Sequence, residues 1–242
     1  MVKDMLWRGM LVGILAAMMA TLFAQAVAEP QIDRAIGVEQ AHQAHHMDGA
    51  MAGDQDEELV SRATQKGAGL FTALALYGAA VGGIFSLVFA YGYGRMGRMG
   101  PRSFALLLAG LAFILIVVVP GIKYPQTPPA VGKHETVGIR TAAYFAMIAL
   151  SIGAAVIAGK VLTALCRSMR GFDAGLLAIG AFVVMVALGQ CVLPTVDEVP
   201  ADFPATLLWN FRVASIGTQL LLWSTIGIGF GWAAERVLVR QQ

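Results

Sequence analysis

This 242-residue sequence predicts an all-α integral membrane protein with six transmembrane helices, and three observations predict it. Hydrophobic residues make up 57% of the chain and charged residues only 13%, too few charges to cover the surface of a soluble domain. The apolar residues gather into six stretches long enough to cross a ~30 Å hydrocarbon core. Lysine and arginine are distributed unevenly across the segments between those stretches, as membrane orientation requires.

The six stretches run from Trp7 to Ala28, Gly67 to Tyr93, Phe104 to Pro120, Thr141 to Leu165, Gly175 to Pro194, and Val213 to Ala234. None has a charge at its centre, and Lys160 lies close enough to an end to snorkel. The 28 glycines fit the same reading, because small residues let membrane helices approach closely. A single membrane domain over 1–242 is expected, with extracytoplasmic loops at about 29–66, 121–140 and 195–212.

Charge sets the orientation. The amino terminus, second and fourth loops, carboxyl terminus and Lys160 hold ten basic residues against three acids. The first, third and fifth loops hold seven against twelve. Both ends are therefore expected in the cytoplasm, with the acidic loops facing outward. The first stretch, ending Ala26-Val27-Ala28, also resembles a cleavable leader. Its nearly twenty-residue apolar run favours retention. The chain also reads as three two-helix hairpins, each outgoing helix ending at a proline (Pro30, Pro120, Pro194) and each returning one opening at an arginine (Arg62, Arg140, Arg212). The same pattern arises if prolines simply mark helix ends and arginines mark interfaces.

Candidate chemistry concentrates on the outward side. His42, His45, His46 and Asp48 supply imidazole and carboxylate ligands of the kind that suit borderline divalent ions. If that stretch is helical, His42 lies over His45 and His46. The alternative is a solvated loop. The third loop, Lys123 to Pro129, and the fifth, Pro194 to Pro204, are proline-rich and expected to be stiff. Arg62, Arg140 and Arg212 sit near helix amino termini, where the dipole disfavours them, so they call for carboxylates. Glu29, Asp33, Glu135, Asp197, Glu198 and Asp202 are available as loop ion-pair partners or as pathway groups. Gln25, Gln65, Gln190 and Gln219 are expected to hydrogen-bond between helices. Met18, Met19, Met147, Met185, Cys166 and Cys191 are read as packing residues. No nucleotide loop, nucleophile elbow, ATPase motif or cysteine–histidine zinc pattern occurs, so neither an enzyme nor a nucleic-acid binder is expected.

Several segments resemble one family. These are Ala28-Glu29-Pro30-Gln31-Ile32-Asp33-Arg34-Ala35, Val60 to Gly67, Lys123-Tyr124-Pro125 through Gly132, and Leu193 to Ala205 with Leu208-Trp209 and Phe211-Arg212. Together they are similar to the CbtA proteins, described as probable cobalt transporter subunits. The resemblance implies a multi-pass protein of a bacterial inner membrane that takes up Co²⁺ for cobalamin synthesis. It also implies a small companion membrane subunit of the CbtB kind, and Co²⁺ as cargo with no tightly bound cofactor. The resulting expectation is a divalent-metal uptake subunit that captures the ion on the outward His/acidic face and passes it inward. A non-transporting scaffold or metal-sensing subunit is the alternative.

Overall fold

A computed structural model of the chain describes residues 2–46, 68–95, 99–128, 131–132 and 134–239. Helices are α1 (Val2–Phe23), α2 (Glu29–His46), α3 (Leu70–Gly92), α4 (Pro101–Ala112), α5 (Val119–Lys123), α6 (Val137–Leu165), α7 (Gly171–Val192) and α8 (Ala205–Val239). A π-turn at Ala24–Ala28 joins α1 to α2, and another at Phe113–Val118 joins α4 to α5. No strand occurs among the described residues, and six helices are long and apolar enough to cross a membrane. The protein is a multi-pass helical membrane protein.

The helices run longer than the apolar stretches, which corrects two expectations. Residues 29–46, placed in a loop by their polarity, continue the first span as helix. Neither Pro30 nor Pro120 ends its helix: the π-turn just upstream of each widens the backbone where the proline ring would otherwise strike a carbonyl. Only Pro194 follows a helix end, at Val192. The third-loop region is likewise shorter, with helix to Lys123 and again from Val137, and the fifth-loop region ends where α8 begins at Ala205.

The described residues group into two compact units. Unit 1 comprises Met1–Phe113, Thr127–Ala130 and Asp202–Gln242; unit 2 comprises Ile114–Gln126 and Val131–Ala201. In unit 1, α1 packs most extensively on α3, and α8 packs on both α4 and α1. The α1–α3 crossing is built on glycine. Gly9 and Gly13 face Gly82 and Gly78, and a Cβ on Gly13 or Gly82 would run into the facing backbone carbonyl. Backbones this close gain dispersion and weak Cα–H···O contacts, the forces available where water exclusion supplies none. Phe85, Phe89, Tyr93, Phe104 and Phe230 form a ring cluster, with Phe89 and Phe230 edge-on at 5.1 Å. An Arg102–Glu235 ion pair joins α4 to α8.

In unit 2 the core is Val119, Tyr124, Ala143 and Met147, with Phe182, Val186, Leu193 and Val196 packed around it. Met147 is buried as expected, whereas Met18, Met19, Cys166 and Cys191 are exposed on helix surfaces or turns rather than packed inside. Small or flexible apolar side chains are equally at home against lipid, so hydrophobicity alone did not assign them inward.

Candidate functional site

The histidine segment rises directly from the membrane-spanning part of the first helix. At 1.5 Å per residue, His42 to His46 stand roughly 20–27 Å along the axis from Ala28. The lower part of this post is fixed to α8: Ala24, Ala28 and Ala214 are buried together beside Leu70, and Ala35 is fully buried. Because the backbone is helical through His46, His45 and His46 follow His42 by three and four positions along one helix. Counting on from Ala35 in steps of four and three, Glu39, His42 and His46 share a helix face by position. Glu39 was not among the expected ligands, and only helical periodicity picks it out. Asp48 and Arg62 lie outside the described residues, as does Gln65.

The acidic residues separate into different environments. Glu29 is 9% exposed although it opens a polar helix. Glu29, Asp33, Asp202 and Arg212 all have interaction partners in the structure. Asp197 and Glu135 are exposed. Among the described residues no group of three or more His, Cys, Asp or Glu side chains is arranged to hold a metal ion.

Glu198 and Arg140 meet. The Glu198 side chain is only 4% exposed; Arg140 Nη1 and the Thr136 hydroxyl each donate to one of its carboxylate oxygens. Gly132 closes the node. Its φ is +149°, and a Cβ there would meet Arg140 Nη1 at 3.0 Å and Glu198 Oε2 at 3.3 Å. A carboxylate buried with two donors is satisfied in place, so Glu198 acts as a fastener of the 194–204 segment rather than as a spare ligand.

Other polar side chains of unit 2 fasten the same region. The Tyr124 hydroxyl donates to the Pro194 carbonyl at 2.6 Å, and Lys123 Nζ donates to the Gln190 carbonyl at 2.5 Å. Tyr124 is 5% exposed, and burial raises its phenol above the ordinary value of 10.0. Along the helix, proline at 120 removes the N–H that an α-turn would aim at the Ile116 carbonyl and a π-turn at the Leu115 carbonyl. Those two carbonyls instead accept from the Tyr144 hydroxyl at 3.2 Å and the Ser151 hydroxyl at 2.5 Å. Gln190 Nε2 donates to the Val119 carbonyl at 3.4 Å, the interhelical role expected of a span glutamine. Tyr144 and Ser151 carried no sequence signal beyond being polar within an apolar run.

A family model described as probable cobalt transporter subunit (CbtA) matches residues 2–235. No curated protein and no solved structure matches the chain.

Proposed function

The chain belongs to the CbtA family of probable cobalt transporter subunits, and from that premise we propose that it is the membrane subunit of a Co²⁺ uptake system in a bacterial inner membrane. His42, His45 and His46, with Glu39 on the same outward helix and Asp48 two residues on in the sequence, capture the ion. The family match over residues 2–235 carries this reading. The helix that holds the three histidines in register supports it. Both ends face the cytoplasm, in keeping with the ten basic residues that line that side.

Captured ion passes inward past the acidic side chains of unit 1, Glu29, Asp33 and Asp202. An inward-negative potential contributes about 2.3 kcal/mol per charge per 100 mV, so about twice that for a divalent cation. No carboxylate or histidine stands at the centre of any described span, so backbone carbonyls, amides or a companion subunit supply the central passage. The subunit named by the family works with at least one such companion, a small histidine-bearing membrane protein. The spans serve passage, not catalysis.

Reconstitution in liposomes that trap a Co²⁺-sensitive dye tests the proposal, with and without the companion. Influx driven by an inside-negative potential, and competed by Ni²⁺ or Zn²⁺ to a lesser degree, is the expected result. Absence of influx in both preparations, with Co²⁺ still bound to the protein, identifies a sensing or scaffold subunit instead.

A further inference from the structure

Near the middle of α8 two polar atoms are buried without a hydrogen-bond partner among the described residues: Gln219 Oε1 and Trp223 Nε1. Trp223 is 5% exposed. The two residues are four apart, so they stand one turn above another on the same helix face. The two nearby threonine hydroxyls are committed elsewhere: Thr218 donates to the Ala214 carbonyl at 2.9 Å and Thr225 to the Leu221 carbonyl at 2.8 Å. From α3, the Tyr77 side chain comes within hydrogen-bonding reach of Gln219. Hydrocarbon supplies neither donor nor acceptor, so an unmet polar atom at this depth is strongly disfavoured.

The chemistry of the two atoms selects the occupant. An indole N–H is a donor only, and repels a bare cation; an amide oxygen is an acceptor only, and repels an anion. A neutral molecule that accepts and donates together answers both. We propose that Gln219 and Trp223 bind a water molecule inside unit 1. The water accepts from Trp223 Nε1–H and donates to Gln219 Oε1, and its remaining proton is free for the Tyr77 hydroxyl. Three such bonds are the usual complement of a buried water. The site gives the apolar interior of α8 an internal hydration point, and it stands whether or not the chain moves metal.

X-ray hydroxyl-radical footprinting of the full chain in lipid nanodiscs tests this, since radicals form from bound water and oxidise the side chains beside it. Trp223 oxidation in the natural chain is expected to exceed that in Gln219→Met several-fold, while the buried Phe89 and Phe230 react equally in both. Equal Trp223 rates in the two proteins overturn the proposal. Should Gln219→Met fail to fold, Trp223→Phe removes only the donor, and Tyr77 oxidation is then expected to drop several-fold. Unchanged Tyr77 oxidation in that variant overturns it equally.

Discussion

Glu198 gathers two donors from the start of α6, Thr136 and Arg140, and the consequence is legible at a single atom pair. Glu198→Gln keeps the shape and the Thr136 contact but leaves the Arg140 guanidinium without its counter-charge. Because Arg140 is about a third exposed, water screens part of the loss, and destabilisation by about 2 kcal/mol is expected. A lowered thermal midpoint in detergent, with Asp197→Asn unchanged, is the measurement; equal midpoints for both would remove the node from the fold's support. Tyr124 supplies a pH dependence of known sign. Its phenol is held protonated by burial, above its ordinary value of 10.0. The stability this contributes is complete below that ordinary value and is lost as pH rises through the raised one. Tyr124→Phe, which lacks the bond to the Pro194 carbonyl, should lose about 1 kcal/mol at neutral pH and show a flatter alkaline decline. A decline as steep as that of the natural chain would assign it to other groups.

At the scale of elements, proline and glycine decide what the helices do. Tyr144 serves a carbonyl that Pro120 deprives of its N–H. Tyr144→Phe should therefore cost about 1 kcal/mol in the natural chain and distinctly less once Pro120→Ala restores the backbone donor. Additive losses in that double-mutant cycle would show that the tyrosine does something else. The α1–α3 crossing makes a harsher prediction. Gly13→Ile must force two backbones apart and should cost at least about 3 kcal/mol, seen as a lower midpoint and loss of the folded band in mild detergent. Gly138→Ala, with nothing within 4 Å of its Cβ position, should be near neutral.

For the whole molecule, the decisive experiment concerns the histidine post. Replacing His42, His45 and His46 with Ala should weaken Co²⁺ accumulation at limiting metal but not at excess, and lowering the pH through ~6.5 should mimic it by protonating the imidazoles. Unchanged accumulation at every concentration would make the post passive. Membrane insertion, the number of spans and the family were all legible in the residues themselves, because transfer of a twenty-residue apolar run into hydrocarbon is a local property that no distant contact reverses. The Arg140–Glu198 contact was legible only as one pairing among several, since three arginines and six acids admit many partnerships. What the tertiary structure alone decided lies where helices meet. Residues 29–46 are helical where their polarity suggested a loop, because Ala28 at their start packs with Ala214 of α8 and Ala35 further along is buried. Pro120 stays inside a helix because Tyr144 and Ser151 arrive from α6 to serve its orphaned carbonyls. Gly13 matters more than Gly138 because only one of them meets another backbone. Hydrophobicity is written residue by residue, whereas a missing hydrogen bond or a missing side chain acquires its meaning from the neighbour that fills the gap.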